Sequence, residues 1–403
     1  STISQGSLAG IELYKALTPD KDADAIAGTV NLVTKKAPSD RLIRFDLKGA
    51  YNHLNKIAKQ YDVQARYGER FFNDLLGVQL SGNLEERDRS NEFTNNDYNT
   101  NTDGMGTNWE FSDFSVRFIE ETRKRAGFSV LLDFNTPDSG TVKLNTVFNR
   151  TDRAYTRNQR NYPVAASREL LYVCRYTEQD IETFNSSLKG DNFLFGFNVS
   201  WGLSLAQSIS ETPYDLAMDF LEPTELQNGQ PISRMKPIDQ RDLKGPAEAL
   251  IPYALNNFNK AFLNWGHFYG NRNIDKERTA FADLSKKFTI TPLLSDEIKF
   301  GGKYKIKNRN KQSSESASPY YIDPFRPYTI ASDGSVKQKN FAGTRFENLK
   351  IDGGKILLSN FLNNPEHRDI YGKYDLYPLI TKDAIKDWYS LNKNGVATRS
   401  EER

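Results

Sequence analysis

Asp22-Ala-Asp-Ala-Ile-Ala-Gly-Thr-Val-Asn-Leu-Val-Thr-Lys-Lys36 marks the point where one kind of chain gives way to another. A small-residue turn at Ala27-Gly28 feeds a short apolar strand over 29–34, which stops at Lys35-Lys36 and Pro38. Upstream, a strand is expected over 10–15. Thr18-Pro19-Asp20 reads as a helix start, because proline in a first turn sacrifices no hydrogen bond. Downstream of Pro38 the pattern changes to period two and keeps it.

Ile43, Phe45, Leu47 and Tyr51 share one side of an extended chain, and Arg44, Asp46 and Lys48 share the other. The alternation recurs near 61–67, 76–85, 126–134, 142–148, 170–188, 193–205, 278–288 and 298–306, roughly nine strands in all. Its clearest run is Phe193, Phe195, Phe197, Val199, Trp201, Leu203 and Leu205, expected on one face of one strand. Tight turns are expected at Phe72-Asn73-Asp74, Thr136–Gly140, Lys189–Asn192 and 291–296, all with hairpin chemistry. Apart from a short link near 54–57, the alternate connections are long: about 91–121, 155–168, 208–276 and 310–403. In an up-and-down meander this puts the tight turns at one end and the large loops at the other. A soluble sandwich has no reason to sort its loops so; an outer-membrane barrel does.

Bulk properties agree. The 403 residues carry a net charge of +2 with 26% charged residues, so no basic field points to nucleic acid. Aromatics reach 12% although the mean hydropathy is −0.67, which suits a sheet with one greasy and one wet face. Cys174 is the single cysteine, which excludes a disulfide framework or a Cys-based zinc site within the chain and suggests a small buried side chain. No apolar run reaches the ~18 residues of a membrane helix, a test blind to barrel strands. Ser1-Thr-Ile-Ser-Gln5 has no leader features, so a cytoplasmic chain or a true N terminus elsewhere is expected. An open edge in lipid leaves backbone groups unsatisfied at several kcal/mol each. An odd strand count, with a helix near 381–393 and no closing strand after it, is therefore expected to be part of a barrel. The Asn-, Gln-, Ser- and Lys-rich face favours a large, filled one.

Ile11-Glu-Leu-Tyr-Lys-Ala-Leu-Thr-Pro-Asp20 followed by Asp24-Ala-Ile-Ala-Gly-Thr-Val-Asn-Leu-Val-Thr-Lys35 resembles the end of the plug domain of TonB-dependent outer-membrane receptors, over about 28 residues. In that family a Gly-Gly-x-Val/Ile-Asn-Ile/Leu-x-Thr-Lys strand closes the plug before the first barrel strand. The matching positions are Asp24, Ala27, Gly28, Val30, Asn31, Thr34 and Lys35, with Ala27 in place of the first glycine. The resemblance implies a mainly β fold, a transmembrane antiparallel β-barrel of about 22 strands around an N-terminal plug. Residues 1–38 would end the plug, and residues 39–403 would begin the barrel. It further implies TonB-dependent active transport of a scarce ligand across the outer membrane of a Gram-negative bacterium. The partners would be the inner-membrane TonB complex, outer-membrane lipid and a surface lipoprotein. An oligosaccharide or related nutrient is the favoured ligand; a siderophore, iron chelate or cofactor is the alternative. A passive porin or a surface-binding protein is the competing class.

Ligand-binding candidates are flat aromatics beside planar donors, which suit sugar rings or an anionic chelate. Tyr155, Arg157, Arg160, Asn161 and Tyr162 form one such patch, and Trp109, Trp265, Tyr320 and Tyr321 lie in other predicted loops. The plain alternative is loop-against-loop packing. Asp20–Asp24 has calcium-loop spacing but lacks the glycine and glutamate an EF-hand needs, so no metal is assigned. Calcium in the Asn-rich 95–108 segment is left open. Lys299, Lys303, Lys305 and Lys307 share one strand face, either lining an anion path or paired with acids. Phe193, Phe197 and Trp201 are expected to face lipid. With no G-x-S-x-G, H-E-x-x-H or phosphate loop, and His53, His267 and His367 far apart, neither an enzyme nor a resident cofactor is expected.

Overall fold

The computed structural model describes residues 8–14, 29–34, 37–103, 106–164, 170–222, 225–227, 230–232, 238–254, 256–291, 294–318, 328–330, 333, 335–338, 341–352, 355–362, 368–376, 379–392 and 398–402. β1 (Leu8–Tyr14) and β2 (Thr29–Thr34) pair as a separate antiparallel hairpin, with Glu12 opposite Asn31 and Leu13 opposite Val30. Asp24, Ala27, Gly28 and Lys35, and the expected helix start at 18–20, lie outside the described residues.

The meander follows: β3 (Leu42–Gly49), β4 (Tyr61–Phe71), β5 (Leu76–Asp88), β6 (Asn91–Asp103), β7 (Gly106–Asn135), β8 (Thr141–Asn161), β9 (Leu170–Leu194) and β10 (Phe197–Glu222). A short hairpin, β11 (Glu225–Gln227) and β12 (Gln230–Ile232), leads to α1 (Gln240–Leu243) and a 3-10 turn at Ala247–Tyr253. β13 (Phe262–Thr291) and β14 (Leu294–Ser318) resume the sheet. The last part holds three two-stranded pieces: β15 (Tyr328–Ile330) with β16 (Val336–Gln338), β17 (Ile351–Asp352) with β18 (Lys355–Ile356), and β19 (Asp369–Ile370) with β20 (Tyr374–Asp375). Then come α2 (Lys382–Asn392) and β21 (Thr398–Glu402).

The main sheet has 11 strands, all antiparallel. β3, β4, β5, β7, β8, β9, β10, β13 and β14 are the expected strands, paired in chain order. β6 pairs with the far half of β7. The sheet is open: β3 lies at one edge, and at the other β21 covers only Gln312–Ser316 of β14. Among the described residues no helix is long and apolar enough to cross a membrane.

Three expectations need correction. The segments expected as loops hold more strand than foreseen: 91–121 is the β6–β7 hairpin, and β8, β10, β13 and β14 run on into the others, past the alternating segments that betrayed them. Cross-strand pairing and burial of one face under a cap hold these extensions. The β9–β10 turn is Phe195-Gly196 (φ 54° and 78°) rather than 189–192. Two successive left-handed residues match the twist of the flanking strands, and Gly196 takes its place without strain. This shift moves Phe193 to the face opposite Phe197, since Phe193 pairs with Asn198. Finally, β21 lies in a segment expected to hold no strand.

The two faces differ sharply. On the apolar face near the tight turns, Ile43, Phe45, Leu47, Leu203, Ile298 and Phe300 stand exposed, Phe300 at 77%. Pairing runs without a shift along β7, β8 and β9, so the same face continues into the extensions. There it becomes Phe114, Val116, Tyr162, Tyr172 and Cys174, all buried. What covers them is a cap built from the described residues of 238–261 and 341–392, whose Phe346, Phe361 and Trp388 meet edge to face or tilted, with centroids 4.8–5.4 Å apart. Phe361 packs on Phe220 of β10, and Tyr389 on Phe268 of β13. α2 forms because Thr381 caps its start (Ala384 N–H to Thr381 Oγ1, 3.4 Å) and Ala384, Ile385 and Trp388 make one buried stripe. The hydrophobic core is therefore the seam between cap and strand extensions.

Candidate functional site

Two places on the polar face carry organised chemistry, one at each end of the sheet. At the tight-turn end the chain arriving from β2 is clamped to the sheet. Asp133 of β7 is 1% exposed; it accepts the Ala37 N–H at 2.9 Å and pairs with Arg70 of β4 at 2.7 Å. Arg70 also donates to the Ala37 carbonyl at 3.4 Å and to the Asp74 carbonyl at 3.0 Å. Glycine makes the room. A Cβ on Gly77 would come within 2.5–2.8 Å of Asp133, Ala37 and Arg70, and one on Gly68 within 2.8 Å of Pro38. Ala37 is buried, so the exit from the leading segment is a packed joint.

At the opposite end the polar face of the extensions forms a lattice fixed by strand register. One row across the sheet reads Arg157, Arg175, Ala217 and His267; the next reads Tyr155, Thr177, Asp215, Tyr269 and Glu315. On the other side run Arg117, Gln159, Val173, Asp219 and Trp265. A bulge in β10 between Glu211 and Tyr214 sets this register. The bulge changes which alternate residues face the polar side, so that Asp215 and Asp219 join it instead of pointing under the cap.

Ala217 is the low point, bounded along its strand by two acids and across it by Arg175 and His267. Arg175 forks onto Asp215 with contacts of 2.6 and 2.5 Å, and Thr177 donates to the same carboxylate at 3.1 Å. Such a two-bond fork fixes the carboxylate in orientation as well as charge. Trp265, His267 and Tyr269 form a ladder with centroids 4.9 and 5.5 Å apart, joined by a 3.0 Å Tyr269 Oη–His267 Nδ1 hydrogen bond. Burial pushes the Asp219 carboxyl up to about 6, against the pull of Arg157. Burial, with Arg175 and Arg117 close by, also lowers Arg157. His267 is lowered by burial, against Glu315. Buried Nε atoms of Arg157 and Arg117 and the Nε1 of Trp265 find no acceptor among the described residues. Beside the lattice a cavity of about 490 Å³ is lined by Asp215, Tyr269, Asn271, Ser313, Ser314 and Glu315.

The structure splits the sequence-predicted patch by parity. Tyr155, Arg157 and Asn161 lie on the polar face, with Trp265 on the same face three strands from Arg157. Arg160 and Tyr162 point the other way and are 0% and 2% exposed beneath the cap. There Arg160 stands 4.0 Å from Glu222, with the Arg160 guanidinium over the Tyr162 and Tyr172 rings. Tyr162 donates to the Asp375 carbonyl at 2.6 Å, and burial pushes its hydroxyl up to about 12. These two residues fasten the cap, the packing alternative given for the patch. Trp109 is 63% exposed on the β6–β7 hairpin, opposite Thr100 and away from the lattice. Tyr320 and Tyr321 lie outside the described residues. Cys174 is fully buried, and burial raises its thiol. Sequence reasoning missed Arg175, Asp215, Asp219, His267 and Tyr269. Their one signal, alternation after residue 170, is broken by the β10 bulge.

No protein-family model matches this chain, and no curated protein does. Among solved structures it is similar to BauA, the ferric preacinetobactin receptor from Acinetobacter baumannii, with a TM-score of 0.17 and 11% identity. The match covers 77% of this chain and 52% of that one, so the chain spans about half the length of that structure. A score this low lies far below that of a shared fold and identifies no ligand.

Proposed function

We propose that this chain is the end of a plug and the first part of a barrel wall in an outer-membrane, TonB-dependent transporter. The observation that carries the reading is the opposition of the two faces at the tight-turn end. Large apolar side chains stand exposed on one face, while the other receives the incoming segment through the Ala37–Asp133–Arg70 clamp. Contiguous exposed apolar surface on this scale needs a partner, and lipid fits a band flanked by aromatics. The apolar run from Phe197 to Leu205 covers roughly 27 Å along its strand, near the ~25 Å band of such barrels. Phe72 and Phe195, 75% and 97% exposed at two tight turns, suit an interfacial aromatic girdle.

On this reading the polar face lines the lumen, the leading hairpin belongs to the plug, and the lattice around Ala217 meets the ligand first. Energy would come from the TonB complex, and the chain would act without catalysis. A saccharide remains the favoured ligand and an iron chelate the alternative. A passive porin is less well supported, because it has no use for a separate leading segment clamped to its inner face.

The test has two arms on the full-length protein that carries this chain. A fluorophore at Phe300→Cys is expected to be quenched by brominated lipid in reconstituted vesicles, and one at Lys299→Cys is not. Equal quenching at both positions would sink the membrane-wall reading. Deleting the gene is expected to abolish an uptake that an uncoupler also abolishes; uptake that persists without proton-motive force would point to a porin.

A further inference from the structure

We propose that the polar face around Ala217 binds a carboxylated saccharide of the uronic-acid class, its carboxylate held by Arg157 and its ring hydroxyls by Asp215 and Asp219. The proposal rests on the lumen-facing assignment above and adds the chemistry of the ligand. Three features choose it. The first is unspent donor capacity: Arg157 and Arg117, on neighbouring strands, make no ion pair among the described residues, and each has a buried Nε without an acceptor. A guanidinium held on a rigid strand with free donors is set up for a planar carboxylate.

The second is the pair of acids. Asp215 is locked by Arg175 and Thr177, and Asp219 stands two residues beyond Ala217 on the same face, with Trp265 directly across from it. Fixed carboxylates accept from vicinal hydroxyls but repel a ligand charged all round. A chelate carrying several negative charges would meet both acids and Glu315; a sugar with one carboxylate per ring meets each charge with its complement. The third is the lining. Drug-like ligand pockets are mainly apolar, whereas the cavity next to this face offers Asn271, Ser313 and Lys311 to further hydroxyls, with Tyr269 in its lining and the rest of the Trp265–His267–Tyr269 ladder running on along the strand beside it. Ala217 contributes only a methyl group to this face, and its row places Arg157 two strands away, roughly 10 Å at the usual ~4.8 Å strand spacing. That span suits a sugar ring with its exocyclic carboxylate.

The experiment is isothermal titration of the full-length protein in detergent with oligogalacturonate, its neutral methyl ester, and citrate. Wild type is expected to bind the oligogalacturonate and to prefer it to the ester. Arg157→Gln is expected to weaken that binding about 10- to 100-fold, the worth of a charge-assisted hydrogen bond, and to erase the preference. Arg157→Lys, which keeps charge without the fork, is expected to fall between. Trp265→Ala is expected to weaken acid and ester alike. No binding by wild type, equal binding of citrate, or a preference that survives Arg157→Gln would each overturn the proposal. Failure here with uncoupler-sensitive uptake intact would leave the transport reading standing. Saccharide binding with uptake that ignores the uncoupler would do the reverse.

Discussion

Replacing Asp133 by alanine tests the joint between the leading segment and the sheet. The carboxylate is 1% exposed and serves two partners, the Ala37 N–H at 2.9 Å and Arg70 at 2.7 Å. Removing one member of a buried pair costs about 3–5 kcal/mol, because the other charge is left uncompensated. Arg70 keeps its contacts to the Ala37 and Asp74 carbonyls, so the lower figure applies, about 3 kcal/mol. At 1.4 kcal/mol per tenfold, that makes opening of the joint about 100-fold more frequent. The assay is hydrogen exchange of the Ala37 amide, read by mass spectrometry on the full-length protein. Ala37 is expected to exchange about 100-fold faster in Asp133→Ala, with the β4–β5 and β7–β8 amides unchanged. Unchanged Ala37 exchange in an intact Asp133→Ala protein would refute the clamp.

Other outcomes follow from the same geometry. Glu222→Ala strands Arg160, both side chains being fully buried, so the cap should open first; exchange across 379–392 should rise while the strands near the tight turns keep their protection. Asp138 in the β7–β8 turn is held down to about 2 by hydrogen bonds from Thr136, the Phe193 N–H and Asn192. A depressed acid stabilises above its ordinary 3.8, so the turn should loosen as pH falls from 3.8 toward 2, seen in the fluorescence of Trp201, which bonds Asn192 at 3.1 Å. Asp219 runs the other way. With its carboxyl raised to about 6, the fold binds the extra proton between 3.8 and 6, so stability should fall as pH rises through that window and level off above it. Asp219→Asn should flatten that slope in denaturant titrations.

The wall near the tight turns was legible because each residue there obeys one rule, apolar to one side and polar to the other, which a single sequence displays. Nine strands follow from it. The extensions alternate too, with Phe114, Val116 and Phe118 under the cap and Ser115 and Arg117 on the other side, but what covers the apolar side is a cap drawn from distant residues, which local periodicity does not announce. The Phe195-Gly196 turn was missed because Lys189-Gly-Asp-Asn192 offered better turn chemistry locally. Pairing of Gly190 against Trp201, where any Cβ would collide with the indole at 2.4 Å, reserves that glycine for the sheet instead. In the predicted patch, counting alternate residues from Phe148 would have sent Arg160 and Tyr162 to the other side from Arg157. The lattice itself lay out of reach, since it needs the β10 bulge and five strands in register.

The cap shares its side of the sheet with the apolar band, and that arrangement has a mechanical consequence. With lipid against the band, the cap acts as a collar: the bilayer can rise along β7–β10 only until it meets α2 and the turns beneath it. Between collar and band lies a charged waist, where Arg150 pairs with Asp152 and Glu182 and Arg272 with Glu211, half-buried or exposed. Headgroups would settle at that waist. Trimming the cap would therefore leave the wall able to ride deeper in the membrane, and the height at which the polar lattice stands above the lipid would no longer be set by the protein.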